Sequence, residues 1–586
     1  MTISYDDMKQ AIGLNWYLTD PNLQQLMDRF IEPADRAWVE EKLRAMGELI
    51  GGPVARNAEI TDKNPAQLVN WNRDGDEVGE VVHHASALET KRLLWKNDFL
   101  HLRWSDEVKE RGRPVPAPLY FAYQYLLSQA ETGMLCSVGM TTGVLRLIER
   151  YGDDETRAMF VPKLTTNDFD SGWDGSMYLT EKTGGSDLGT TETVARVDGD
   201  AWRLTGFKWF CSNVDGDAIV TLARPEGAPD GIKGLALFAV PRKLPDGSLN
   251  GVHARRIKDK LGTRAVPTGE IDLVDAKAFL LAGGSEATDG RGINRMMEFV
   301  NESRMGVAAM GAGIMRRVAL EALIRAHQRT AFGKRLADHG MVRETLIDLV
   351  VESEAAATML MQAAAHVPTG NEAIGDGDPL ARILVPLTKI RCTRGGIESA
   401  SAALEVFGGN GYIEDWPMAR QFRDAQCHTI WEGTENILSL DLLRTMAKHR
   451  SHEPLLAMIG EARAAAAEQP LLAGVSEAVG RATAQVTERL GQIAAADREV
   501  AKLRSRRLAN QLATVSAAAL LLSEASRQLR DGDARKAVVA AWFARKHLEP
   551  AGGWHPGNEG IVMELFDALT GYDRIDPERA RSVAKL

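Results

Sequence analysis

Four separated stretches of the 586-residue chain combine residue types that can do chemistry. The first, Met177-Tyr-Leu-Thr-Glu-Lys-Thr-Gly-Gly-Ser-Asp187, reads as a strand running into a Gly-Gly turn. Backbone N–H groups and the Ser186 hydroxyl could approach an anionic or polar ligand there, although a plain hairpin turn accounts for the pattern equally well. The second, Thr205-Gly-Phe-Lys-Trp-Phe-Cys-Ser-Asn213, is an aromatic-rich strand, which usually means core. The third, Ala326-His-Gln-Arg-Thr-Ala-Phe-Gly-Lys334, sets Arg329 at a helix end before Phe-Gly. That need be no more than a C-cap beside a solvated charge. The fourth runs from the helix end and glycine-rich loop Glu405-Val-Phe-Gly-Gly-Asn-Gly-Tyr412, through Arg423-Asp424, to Ile430-Trp-Glu-Gly-Thr-Glu-Asn436. It places a carboxylate, Glu432, between an indole and a glycine. A lone Glu before Gly is ordinarily a solvated charge, so Glu432 by itself marks no site.

The elements that must position these stretches fall into blocks. The first ~170 residues read mainly as helices, with an apolar helix over Met134 to Leu147 ending at Gly152 and another running towards Pro162. Between 173 and 285, Ala218–Leu222, Leu235–Val240 and Glu270–Val274 are β-rich runs separated by Gly, Pro and Asp, as strands joined by turns should be. Helical spacing returns from Gly292, with Ile314 and Val318, then Leu346, Leu349 and Val350, and a loop over Thr369 to Pro379. An alanine-rich helical stretch follows residue 450. The expected domains are therefore 1–172, 173–285, 286–450 and 451–586, with no internal repeat of fixed period.

Taken together, the four stretches resemble the acyl-CoA dehydrogenase family over roughly residues 100–450, with wording closest to its adaptive-response (AidB-type) subgroup. Asn15-Trp-Tyr-Leu-Thr-Asp20 adds support for the subgroup. The resemblance implies a mostly α fold: an N-terminal helical domain, a small β-barrel-like middle domain and a C-terminal four-helix bundle, here with an extra C-terminal helical domain. It implies FAD as cofactor. Leu179, Thr180 and Gly185 would lie along the flavin ring, Ser186 near flavin phosphate or the thioester, Phe210 against the flavin and Ser212 near its N5 edge. Phe210 and Ser212 stand where Trp and Thr are commoner. Arg329 and Phe332 would reach the FAD of a neighbouring subunit, Arg329 gripping its pyrophosphate, which implies an oligomer, a tetramer being favoured. Glu405, Gly408 and Gly409 would grip the adenine half, with Glu405 in place of the family's frequent Gln. Thr434 and Asn436 would contact FAD, Asn436 in place of Gln. Arg304, Trp431 and Gly433 would line the thioester site.

Some relatives carry the base at the position matching Ser303; here that residue is Ser and the later one is Glu, which selects Glu432 as the base. The implied reaction is α,β-dehydrogenation of an acyl-CoA thioester, with an electron-transfer flavoprotein as the expected electron acceptor. A free carboxylate is too weak a base for an α-C–H. The site must therefore polarise the thioester carbonyl, for which the family uses the backbone N–H of the base residue and a ribityl hydroxyl of the flavin. It must also raise the carboxylate's basicity by excluding water. The alternative is an AidB-type flavoprotein of weak activity that binds DNA or sequesters acyl-CoA; a flavin monooxygenase on the same fold generally lacks such a base.

Composition narrows the partners. The chain is 44% hydrophobic and 26% charged, ordinary for a globular protein, and its net charge of −10 argues against nucleic acid or anionic membrane. The basic cluster Lys502, Arg504, Arg506 and Arg507 sits in a region near neutrality, which disfavours DNA as partner. Cys136, Cys211, Cys392 and Cys427 are widely spaced, as reduced buried thiols rather than a metal site or disulfide framework. No signal-peptide pattern opens the chain and no apolar run spans a membrane, so the cytoplasm is the expected location, without membrane insertion.

Overall fold

The computed structural model describes residues 2–199, 201–370, 372–550 and 554–586. The N-terminal block holds helices α1 (Pro21–Phe30), α2 (Arg36–Leu49), α3 (Ala55–Lys63), α4 (Ala85–Lys96), α5 (Asp106–Arg111), α6 (Ala117–Ala130), α7 (Thr132–Tyr151) and α8 (Asp154–Leu164). Gly152 caps α7 as its sequence suggested, and α8 continues through Pro162 to Leu164. The subgroup segment closes this block onto the bundle. Asp20 caps α1 at the Leu23 N–H, accepts the Tyr125 hydroxyl at 2.7 Å and pairs with Arg316 at 3.3 Å.

One feature departs from an all-helical start. Strands β1 (Gln67–Trp71) and β2 (Glu77–Val82) form an antiparallel hairpin within it. The cause is local: the Asn72 side chain accepts the N–H groups of Asp74 and Asp76 at 2.9 Å each, and Gly75 takes a φ of +88°. The hairpin leans on the middle domain, where Arg242 donates to the Gly79 carbonyl at 2.6 Å.

The middle domain contains β3 (Gly175–Tyr178), β4 (Val194–Asp198), β5 (Ala201–Ser212), β6 (Ala218–Pro225), β7 (Ala236–Pro241), β8 (Val252–Ile257) and β9 (Thr268–Leu280). Pairing runs β6–β4–β5–β9–β7 and returns from β7 to β6, so the sheet closes on itself, with β3 and β8 added outside the ring. This is the barrel-like middle domain that was expected. Closure leaves few open edges, and Tyr178, Leu204, Phe238 and Ile271 fill a core of its own.

The remaining helices are α9 (Gly292–Gln328), α10 (Gly340–Ala364), α11 (Pro379–Phe407), α12 (Pro417–His428) and α13 (Glu435–His449), followed by α14 (His452–Ala466), α15 (Ala473–Ala494), α16 (Arg498–Arg530) and α17 (Arg535–His547). The loop expected over 369–379 joins α10 to α11; its Asn371 lies outside the described residues. The C-terminal helices are not a loose appendix. α16 packs on α10, α11 and α13, and one continuous apolar core runs from Ile3 to Ala584. Arg535 and Lys536 of α17 both pair with the buried Glu354 of α10, an arrangement that costs several kcal/mol if only one partner is removed. Among the described residues no helix is long and apolar enough to cross a membrane.

Candidate active site

Glu432 lies in the loop between α12 and α13, at a φ of +54° followed by Gly433 at +99°. A left-handed non-glycine residue costs about 1 kcal/mol or more, so the loop must be held from outside. Two cations do this from behind. Arg304 Nε donates to the Glu432 carbonyl at 3.2 Å, and Lys389 Nζ donates to the Gly433 carbonyl at 2.8 Å and the His428 carbonyl at 3.3 Å. Gly433 has little room for a side chain: a Cβ there would stand 3.2 Å from Ile437.

Arg304, expected beside the thioester, is 3% exposed. Its guanidinium also donates to Asn301 at 3.0 Å and to Asp441 at 2.7 Å, and Asp441 in turn pairs with Arg382 at 2.8 Å. That commits Arg304 to the rear of the loop. Burial raises Asp441, but Arg382 and Arg304 outweigh it and hold the carboxyl below its ordinary range. The front of the loop is different. Burial raises the Glu432 carboxyl above the usual range, against the opposing pull of Arg304, a hydrogen bond from Ser303 and the charge of Lys389. Ser303 and Glu432, the two positions compared in the sequence, therefore touch. Among the described residues no acceptor takes the Glu432 N–H.

The second stretch reaches the same place. Ser212 and Thr268 hydroxyls pair at 3.0 Å, and Lys260 reaches Thr268 at 3.2 Å. Lys260, Cys427 and Glu432 are the titratable neighbours of the Cys136 thiol, which burial pushes up to about 12. Asn213, at a φ of +54°, fixes the end of β5: it accepts the Ser137 hydroxyl of α7 at 2.6 Å and donates to the Gly175 carbonyl at 3.1 Å. The first stretch lies alongside, because Trp209 N–H donates to the Thr180 carbonyl at 2.8 Å. A buried pair, Lys208–Glu181 at 2.7 Å, anchors the turn that follows. Leu179 and Thr180 are half-buried; Gly185 and Ser186 are exposed, and Phe210 shows 54% of its surface. A Cβ on Gly185 would collide with Thr180 Oγ1 at 2.3 Å. An open phenyl ring, a half-buried hydroxyl pair and a turn with little room for a side chain beside Thr180 suit the planar ring of a flavin.

Trp431 is half-buried with its ring 6.0 Å from that of His428, while Thr434 and Asn436 are exposed at the start of α13. The third stretch meets the glycine-rich loop instead. Arg329 donates to the Phe407 carbonyl at 3.4 Å, and a Cβ on Gly408 would stand 3.2 Å from its Nη1. Gly408, Gly409, Glu405 and Arg329 are exposed, and Phe332 is 98% exposed at a φ of +50°. Arg304 lies in α9 and Arg329 caps its C-terminal end, so about 25 residues at 1.5 Å each separate them by about 37 Å. One dinucleotide cannot bridge that span within a chain.

Sequence reasoning missed Lys389, Asp441, Asn213 and the junction around Asp424. Asp424 accepts the Thr263 N–H at 2.6 Å, while Arg423 pairs with Asp62 at 2.6 Å and donates to the Leu261 carbonyl at 2.9 Å, joining the first three of the four blocks. Only the adjacent Arg423-Asp424 hinted at this.

Comparison with known proteins agrees with this layout. The chain matches the adaptive response protein AidB N-terminal domain over residues 7–171, the acyl-CoA dehydrogenase middle domain over 176–276 and the acyl-CoA dehydrogenase C-terminal domain over 290–447. It is similar to the putative acyl-CoA dehydrogenase AidB of Escherichia coli K12, at 29% identity over 75% of this chain and 80% of that one. It is 30% identical to cyclohexane-1-carbonyl-CoA dehydrogenase of Geobacter metallireducens over 46% of this chain and 67% of that one. The crystal structure of Caenorhabditis elegans ACDH-11 in complex with C11-CoA superposes with a TM-score of 0.83 at 26% identity, covering 94% of each chain. With three family domains matched in order around one clamped glutamate loop, the chain belongs to the acyl-CoA dehydrogenase family.

Proposed function

We propose that the protein is an FAD-dependent acyl-CoA dehydrogenase in which Glu432 removes the α-proton of an acyl thioester. The observation that carries this reading is the loop itself. A carboxylate desolvated enough to be raised above its normal range stands on a peptide whose carbonyls are tied down by Arg304 and Lys389 and whose own N–H meets no acceptor among the described residues. That N–H is available to a thioester carbonyl, where a fixed donor stabilises negative charge developing as the proton leaves. Desolvation makes Glu432 the stronger base, and Ser303 orients its carboxylate.

FAD, the cofactor of this family, supplies the acceptor for the hydride from Cβ. Leu179, Thr180, Phe210 and Ser212 would hold its ring, and Arg329, Phe332 and the loop from Gly408 would hold the FAD of a second subunit. The exposure of Phe332 and the length of α9 favour a homo-oligomer, a tetramer by family analogy. An electron-transfer flavoprotein is the proposed electron acceptor. The match to an AidB-type N-terminal domain keeps the weak-activity, DNA-associated reading as the alternative; Arg504, Arg506 and Arg507 are exposed on α16, but they make a short cluster rather than a sustained basic surface.

The test is an anaerobic titration of the purified yellow protein with short, long and branched acyl-CoAs. Bleaching of the oxidised-flavin band by one class is the expected result and names the substrate. A flavoprotein that no acyl-CoA bleaches would overturn the dehydrogenase reading in favour of the alternative.

A further inference from the structure

Lys389 is a fully buried lysine, a rare state for this residue unless it is paired. Among the described residues it makes no ion pair within 4 Å; its acceptors are the His428 and Gly433 carbonyls, at the two ends of the segment that carries Glu432. A buried cation without a carboxylate is expensive, and one serving only as a carbonyl clamp could be replaced by a neutral donor. We propose that Lys389 is a positioning residue for the base: its ammonium aims Glu432 by fixing the Gly433 carbonyl, and its charge tunes how readily the Glu432 carboxyl gives up its proton. The inference rests on Glu432 being the base.

The surroundings fit this role. Glu432 faces Lys389 from the loop, Arg304 from α9, and Cys427 and His428 from α12. Burial pushes Lys389 down to about 7, with Arg304 adding to the drop and Glu432 opposing it. Burial and Lys389 push His428 down to about 3, so it stays neutral, and among the described residues its two ring nitrogens find no hydrogen-bond partner. The carboxylate facing Lys389 is that of Glu432, whereas burial pushes the Cys427 thiol up to about 11 and keeps it neutral at neutral pH. Each group is among the charges that act on the other. Protonated Lys389 favours ionised Glu432; loss of that charge makes the carboxylate harder to form and a stronger base once formed.

The test uses the holoenzyme and three variants, Lys389→Met, Lys389→Gln and Lys389→Arg. Two quantities are followed against pH: the rate of flavin reduction by acyl-CoA, and the protonation of Glu432 from the infrared carboxyl band absent in Glu432→Gln. Lys389→Met is expected to slow reduction by roughly 10- to 100-fold, as misaimed catalytic groups do, and to move the Glu432 midpoint to higher pH without loss of FAD. Lys389→Arg should recover most of the rate. Lys389→Gln keeps a donor for Gly433 without charge, so it covers the case in which Met prevents folding; it should hold much of the rate yet shift the midpoint upward. A midpoint unmoved in both uncharged variants, with only thermal stability lost, would make Lys389 a structural donor and overturn the inference. If Glu432→Gln itself still bleached, the base assignment would fall instead, and the two failures are told apart.

Discussion

The two ends of α9 differ in how they present their arginines. At its N-terminal half, Arg304 is buried and every contact faces inward, to Glu432, Asn301 and Asp441. At its C-terminal end, Arg329 is exposed and the neighbouring Phe332 is almost wholly bare. The first end is finished within one chain; the second presents an arginine, an aromatic ring and a glycine loop to something outside it. A large exposed aromatic beside a charge and a tight glycine turn makes sense as surface that another subunit and its cofactor cover. Burial thus separates the part proposed to do proton chemistry from the part proposed to retain the cofactor.

The sharpest way to break that division is at the base. Glu432→Gln should keep fold and FAD yet slow flavin reduction by acyl-CoA about 1,000-fold or more, within the range general-base loss produces; wild-type-like bleaching in stopped flow would remove Glu432 from the role. The same reduction should also weaken as pH falls, because the raised carboxyl must be ionised to act, and the loss should begin above the range of a solvated carboxylate.

Next comes the support behind it. Asp441→Asn leaves Arg304 and Arg382 without their shared anion, and the loosened loop should lose about 100-fold in reduction rate with FAD content unchanged. A drop in FAD content alone would mean that the two ends are not separate in function.

At the exposed end, Arg329→Ala should weaken FAD retention about 10-fold or more, the worth of a charge-assisted hydrogen bond. It should leave the Glu432 midpoint unmoved. Flavin content measured after gel filtration checks this, and full retention would argue against the cross-subunit grip.

The smallest effect concerns stability. Burial pushes His101 down to about 4 and His428 to about 3. The unfolded chain binds their protons below about pH 6.5 while the folded chain refuses them, so stability rises with pH in that window and is lost as pH falls from about 6.5 towards 4. The urea midpoint should therefore be lower at pH 5 than at pH 7, and His101→Phe should reduce that difference. An equal drop in the variant would assign the acid lability elsewhere.

Much of this was legible in the amino-acid order. Short β-rich runs bounded by Gly, Pro and Asp marked strands of the middle barrel, helical spacing marked α9 and α10, and Gly152 marked the end of α7, because these depend on local propensity and period. Glu432 could be singled out because a motif is contiguous. The β1–β2 hairpin was missed since its strands are half-exposed and its turn rests on one asparagine side chain. What the sequence determined by itself is the order of the domains and the stretches that carry reactive groups. Only the tertiary structure decided that Arg304 and Lys389, 128 and 44 residues before the Glu432 and Gly433 carbonyls they hold, converge on one loop. The reason is that a buried cation has no local signature: its meaning lies in which distant carbonyl or carboxylate the packing brings within 3 Å of it.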